Sequence, residues 1–297
     1  MKWNPTDDTL ALKLTYPLEA PVKITKRIVL SLFSQIFDPL GLYLPSTIRF
    51  RWFFSDIVKN VTDWDSPLTD PQKKEFVELL SDHNKMSAHT LKRCVCPMDF
   101  ENIKLYIFSD ASGAAYGACI YVAHTVKDKT TLTLIRARAK ICKKGETTIP
   151  KLELAAAIVG VKLYENVINT EPLFKNCQAY FWTDSMAALR WIQGVKQWPP
   201  FIENRVSIVR QLHLTKKFYY ICSEQNPADL LTRGLTFDKL ESSNLWWHGP
   251  SYNFIDLSDL ESNSSHVFVN TVSCSPSVDI SRYSSLIMLI NIMFYIL

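Results

Sequence analysis

Residues 105–112, reading L-Y-I-F-S-D-A-S, restrict the fold more than any other stretch of this chain. Leu105, Tyr106, Ile107 and Phe108 are apolar, aromatic or branched with no polar alternation, so the run predicts a strand buried on both faces. It ends abruptly in Ser109 and Asp110. An ionised carboxylate is costly to bury without a partner, so Asp110 is expected at the mouth of the strand, facing solvent, a cation or a ligand. The plain structural alternative is an aspartate that caps the following turn. Other acids elsewhere in the chain bear on that choice.

The chain is long enough for two domains or one large one, and a hydrophobic fraction of 47% with 12% aromatics supplies a core. A net charge of +4 is too small to argue for nucleic-acid binding by itself, so local charge has to carry that point. Seven cysteines, an odd number, fit reduced thiols in an intracellular protein, cytoplasmic or nuclear, better than a disulfide framework. Cys94 and Cys96 form the one close pair, and no histidine or second cysteine pair stands at zinc-finger spacing from them. The first ten residues are polar and include Asp7 and Asp8, so they do not read as a signal peptide. Residues 286–297 are apolar apart from Asn291 but fall short of the roughly 20 residues that span a bilayer. No membrane partner is expected.

In chain order, residues 1–25 read as extended and irregular, punctuated by Pro5, Pro17 and Pro21. Helical spacing follows at 26–37, 46–60 and 72–82, so the first 90 or so residues predict a helical unit. In the second helix Arg49 and Arg51 beside Trp52 read either as phosphate contacts or as a solvated face over a buried tryptophan. From Lys104 the period switches to strands, and Gly113 and Gly117 bracket a turn in what reads as an antiparallel meander. Its third strand alternates Arg136, Arg138 and Lys140 with small or apolar residues and is followed by Lys143 and Lys144, the most basic patch in the chain. That patch reads as a phosphate-contacting face or as a solvated sheet edge.

A helix opens at 147–150 with Pro150 suited to its first turn, and Glu153 is expected in that first turn, where the helix dipole favours an acid. Residues 178–183 predict a strand, after which Asp184 reads as the N-cap of the next helix. Further on, residues 199–214 predict a helix, 217–222 a strand, and Asn226-Pro227 the start of a short helix bearing Asp229 and Arg233. Beyond Trp246-Trp247 a Ser- and Asn-rich stretch to about residue 285 reads as a linker.

Asp110, Glu153, Asp184 and Asp229 thus each stand at a strand end or a helix start. In an α/β sheet such ends gather on one rim. Like charges a few ångströms apart resist joint ionisation, an objection that divalent cations remove. Hard oxygen ligands suit Mg²⁺ or Mn²⁺, and a pair of such ions can activate water and stabilise the leaving oxygen of a phosphodiester. The pattern points to phosphodiester hydrolysis without a histidine or cysteine nucleophile.

The same residues carry a resemblance. I-F-S-D-A-S with A-Y-G-A, then T-T-I-P-K-L-E-L-A-A-A, F-W-T-D-S-M-A-A-L-R-W-I and N-P-A-D-L-L-T-R-G resemble the successive motifs of the retroelement ribonuclease H domain, in order, over about residues 100–235. The resemblance implies an α/β fold, a mixed five-stranded sheet flanked by helices. It also implies that Asp110, Glu153, Asp184 and Asp229 bind two Mg²⁺ or Mn²⁺ ions and cut the RNA strand of an RNA–DNA hybrid. Arg136, Arg138, Lys140 and Arg233 are the candidate nucleic-acid contacts, Arg233 alternatively neutralising the acids. K-W-N-P-T-D-D-T-L near the start, K-R-I-V-L-S-L-F-S-Q-I-F-D-P-L-G at 26–41, W-D-S-P-L at 64–68 and L-W-W-H-G-P at 245–250 are similar to the pol polyprotein of BEL/Pao-class LTR retrotransposons. That similarity implies a thumb- or connection-like helical region over 1–95, the ribonuclease H-like domain over 100–235, and an extension over 236–297 leading toward integrase. Polymerase and integrase parts of a parent polyprotein are then the expected protein partners.

The chain also departs from the pattern. It has no Y-x-D-D polymerase signature and no integrase motif, and residues 217–225 lack the histidine that many ribonucleases H carry before the last aspartate. This region of Pao polyproteins also travels under a family name that calls it an aspartic peptidase. Such an enzyme needs D-T-G or D-S-G, and neither occurs. A nucleic-acid-binding or structural remnant without activity stays open beside the nuclease.

Overall fold

A computed structural model describes residues 2–12, 23–61, 63–95, 103–126, 129–142, 145, 147–252 and 255. The elements in order are β1 (Lys2–Asn4), β2 (Thr9–Ala11), α1 (Lys26–Ser34), α2 (Leu44–Asn60), α3 (Asp70–Ala88), β3 (Thr90–Lys92), β4 (Ile103–Ala111), β5 (Ala115–Val126), β6 (Lys129–Ile141) and α4 (Ile149–Thr170). There follow β7 (Gln178–Thr183), α5 (Met186–Gln193), α6 (Pro200–Gln211), β8 (Phe218–Tyr220), α7 (Ala228–Arg233), α8 (Phe237–Glu241) and α9 (Asn244–His248). Lys143, Lys144, Cys96, the Ser- and Asn-rich stretch beyond residue 255 and the apolar run 286–297 lie outside the described residues.

The main sheet has five strands in the order β6-β5-β4-β7-β8. β4, β5 and β6 form an antiparallel meander, while β7 and β8 join in parallel. β4 is central, as its unbroken apolar run requires. Leu105 and Ile107 face one layer, with Leu154, Val161 and Ile192. Tyr106 and Phe108 face the other, with Ile48 of α2, Leu231 of α7, Leu240 of α8 and Trp246 of α9. Both faces of the sheet are therefore dry, which an apolar strand without alternation demands. The five described cysteines are free thiols.

The N-terminal unit has a core of its own, in which Val29, Phe50, Phe53, Ile57, Phe76 and Leu79 join α1, α2 and α3. It is not purely helical, however. β1 and β2 form a hairpin and β3 returns after α3 to pair with β2, so the opening residues expected to be irregular belong to a small antiparallel sheet. Three-residue strands are too short to show a period of two, which is why the pattern missed them. Gly117 also differs from expectation, since it lies inside β5 and not in a turn. A Cβ there would meet the Arg138 carbonyl oxygen at 2.5 Å, so a glycine lets β5 and β6 approach.

The two parts meet along the outer edge of β6. The Ala137 amide donates to the Leu40 carbonyl at 2.8 Å, and Arg51 of α2 donates to the Ala139 carbonyl at 3.2 Å. Gly41 makes the approach possible, because its φ is +72° and a Cβ would sit 2.2 Å from the Ala137 oxygen. Gly41→Ala should therefore lower stability by more than about 2 kcal/mol in chemical denaturation, combining left-handed strain with a backbone clash.

A second prediction concerns His83, fully buried in the helical unit, whose Nδ1–H donates to the Leu79 carbonyl at 3.0 Å beside the ring of Phe50. Burial lowers its pKa to about 3. An unfolded chain binds this proton near pH 6.5. The stability that depends on neutral His83 is thus complete above that pH and is lost as pH falls toward 3, by up to about 1.4 kcal/mol per unit. Urea unfolding across this range should show that slope, and His83→Gln should flatten it.

Candidate metal centre

Three of the four acids singled out in the sequence come together. One carboxylate oxygen each from Asp110, Glu153 and Asp184 lies within 4.8 Å of the other two. The register of the parallel pair β4 and β7 sets two of them, because Ser109 stands opposite Thr183 and each aspartate is the next residue along. Glu153 comes from α4, which crosses one face of the sheet, and it lies beyond the first turn, since the helix begins at Ile149. Its proximity to the aspartates therefore reflects packing of α4 on the sheet, not dipole-favoured placement at the helix start.

Of the surroundings expected for Asp110, solvent, a cation or a ligand, bulk solvent is the one its burial rules out. Asp110 is 0% exposed and Glu153 3%, with Asp184 half-buried, so the first two carboxylates face the site and not bulk solvent. Asp184 is not the N-cap of α5 either. Ser185 takes that place, its Oγ accepting from the Ala188 amide at 3.2 Å, which leaves the Asp184 side chain turned to the cluster.

Asp229 lies outside the three-acid group. It sits in α7, and Nε of Arg233, one turn on, donates to its carboxylate at 2.8 Å. α7 is nonetheless fastened to the site. Thr232 Oγ1 donates to Asp110 Oδ2, and Ser112 Oγ donates to the Thr232 carbonyl at 2.8 Å. Asn226 Nδ2 donates to the Ser109 carbonyl at 3.0 Å while its Oδ1 accepts from the Ala228 amide, so one buried side chain ties the helix start to the end of β4. Ser223 Oγ donates to Asp184 Oδ2.

The sequence does not single out Thr232, Ser112 or Ser223, and it marks Asn226 as a helix start alone. Thr232 had a signal available, since three residues after Asp229 on a helix it shares that residue's face. For Ser223 no local pattern exists, because its partner lies 39 residues away.

Of the candidate basic residues, Arg136, Arg138 and Lys140 alternate along β6 with buried Ala137 and Ala139, on the outer strand of the sheet. Arg136 also hydrogen-bonds the side-chain oxygen of Asn166 on α4. Arg49 is tied up in an ion pair with Asp82.

A donor set of carboxylate oxygens with no sulfur or imidazole, gathered tightly and mostly buried, fits a hard divalent cation such as Mg²⁺ or Mn²⁺. Three acids held this close without counter-charge would repel one another.

Comparison with known proteins gives one family. The family model described as Pao retrotransposon-like RNaseH-like domain matches residues 25–185. No curated protein matches. Among solved structures, LC11-RNase H1, a protein isolated from compost by a metagenomic approach and solved in complex with an RNA/DNA hybrid, is 21% identical, covering 48% of this chain and 100% of its own at a TM-score of 0.32. The N-terminal RNase H domain of rv2228c from Mycobacterium tuberculosis is 16% identical, covering 47% and 97%, with a TM-score of 0.31. The foamy viral protease-reverse transcriptase in complex with RNA/DNA hybrid is 12% identical over 69% of this chain and 26% of its own, with a TM-score of 0.42.

Removing the hydroxyl that Asp110 accepts from should be costly. Thr232→Val is expected to lower stability by about 1–3 kcal/mol, as for a lost hydrogen bond to a buried charged group. Thr232→Ser should keep most of it, both read from denaturant midpoints.

Proposed function

Since the chain belongs to the family of Pao retrotransposon-like RNaseH-like domains, we propose that it hydrolyses the RNA strand of RNA–DNA hybrids with two Mg²⁺ or Mn²⁺ ions. The observation that carries this reading is the convergence of Asp110, Glu153 and Asp184 within 4.8 Å at the ends of β4 and β7 and on α4. In it, Asp110, Glu153, Asp184 and Asp229 would hold the ions, and Glu153 would also orient a water. The ions, when bound, would supply Lewis-acid activation of water and charge stabilisation at the leaving oxygen. Thr232 and Ser223 act one step back, fixing the carboxylates of Asp110 and Asp184 through their hydroxyls.

Arg136, Arg138 and Lys140 would hold the phosphate backbone, and 2′-hydroxyls would tell the RNA strand from DNA. Residues 1–95 are proposed as a thumb- or connection-like region, 100–235 as the ribonuclease H-like unit, and 236–297 as an extension toward integrase. Polymerase and integrase parts of the parent polyprotein are the proposed protein partners. Among the described residues no helix is long and apolar enough to cross a membrane.

A second reading, a nucleic-acid-binding remnant without activity, draws on the Asp229–Arg233 pair, which keeps the fourth acid in a separate contact, and on the missing histidine in 217–225.

Cleavage of a labelled RNA–DNA hybrid separates the two. Wild-type protein with Mg²⁺ or Mn²⁺ should cut the RNA strand, and Asp184→Asn should lose at least about a hundredfold of that rate, a barrier increase of about 2.7 kcal/mol. Equal rates for the two would leave the remnant. Melting temperature supplies an independent readout. Mg²⁺ should raise it in the wild type and not in Asp184→Asn, whereas without metal the substitution should itself raise it by relieving repulsion.

A further inference from the structure

Beside the outer edge of β6 lies a cleft of about 550 Å³ that the carboxylate site leaves unused. One wall is helical, with Phe33 of α1 and Arg51 of α2. The other is β6, with Arg136, Arg138 and Lys140. Asp38 is the acid among the described lining residues, and its carboxylate is engaged by the amides of Leu42 at 3.1 Å and Tyr43 at 2.9 Å. Four cations therefore face one acid whose charge is already held by backbone donors.

Arg138 and Lys140 are exposed, and among the described residues neither makes an ion pair. As alternate residues of one strand the three β6 cations stand about 6.7 Å apart, a repeat suited to successive phosphates of a single extended strand.

The sheet register relates this cleft to the acids. Asp110 pairs with Gly117 and Gly117 with Ala139, so the backbone between Arg138 and Lys140 is two strands, about 10 Å, from Asp110. A volume of 550 Å³ is the size of a small-ligand pocket. It cannot admit a duplex but can take a nucleotide or two of one strand. Basic side chains tracking a backbone in a groove are a usual means of holding unpaired nucleic acid.

We propose that the cleft between the helical unit and β6 binds a single-stranded nucleic-acid tail, so that the preferred substrate is a hybrid with an unpaired extension. This rests on the nucleic-acid reading above, narrows the backbone contacts of Arg136, Arg138 and Lys140 to an unpaired stretch of the substrate, and adds Arg51. The cleft is a fixed feature, since the Ala137–Leu40 and Arg51–Ala139 hydrogen bonds lock its two walls together.

The test uses the full chain and fluorescence anisotropy in EDTA, where no cleavage intervenes. The probes are a blunt RNA–DNA hybrid and the same hybrid with an unpaired tail on the DNA or on the RNA strand. A tail on at least one strand should raise wild-type affinity about tenfold. The double variant Arg138→Gln/Lys140→Gln should lose that gain and flatten the log–log salt dependence by about 1.4, two single-strand phosphate contacts. Equal wild-type affinity for blunt and tailed hybrids, or a double variant that keeps the gain, overturns the cleft while hybrid cleavage stands or falls separately on Asp184→Asn. If no probe binds, the nucleic-acid reading and the cleft fall together.

Discussion

The parallel pairing of β4 with β7 is the constraint from which the site follows. With Ser109 opposite Thr183, the two strands deliver Asp110 and Asp184 side by side at the same rim. A slip of one residue would turn every side chain of β7 to the other face, taking Asp184 away from Asp110 and pushing Tyr180 and Trp182 out of their layer. Apolar packing therefore fixes the register, and the register in turn fixes the acids. Tyr106 on Tyr180 at 5.3 Å and Phe108 near Trp182 at 6.4 Å, both stacked, are the contacts that such a slip would break.

Holding carboxylates together requires a scaffold that does not relax, and much of the chain contributes to it. One layer beneath the sheet joins Leu12, Ile48 and Met86 from the N-terminal part to Leu231, Leu240 and Trp246 from the C-terminal part. Trp246 Nε1 donates to the Leu42 carbonyl at 2.8 Å across 204 residues, and Tyr121 OH donates to the Trp246 carbonyl. Elements that a sequence reading divides into three regions thus share one core. α7, the helix with Asp229, is pressed onto β4 and β5 by the same layer, so its orientation is set by residues far from the acids.

Much of this was legible in the sequence, and what was not has physical causes. The unbroken run at 105–108 announces a central strand, and the period change near Lys104 marks where helices give way to sheet. Asp110, Glu153 and Asp184 were found because each follows or opens a long, strongly patterned element. Their burial was not legible, because how deep a strand end sits depends on what covers it, here α4 and α7. The role of Ser185 as N-cap was missed because Asp and Ser are about equally good caps and stand next to each other. The partnership of Asp229 with Arg233 is visible as an i, i+4 spacing. Whether such an arginine serves its neighbour or a distant phosphate is decided by tertiary placement alone.

The loop at Leu40 and Gly41 and the side chain of Arg51 occupy backbone groups of β6 that would otherwise be open to another strand. At the opposite border β8 spans three residues, too brief to template an addition. Growth is consequently hindered at both borders, one covered around Ala137 and Ala139 and one truncated. Severing the helical part from the rest would leave a long, twisted ribbon edge without its guard, so an isolated 100–235 piece would tend to self-associate through that strand and would be a poor stand-in for the intact chain.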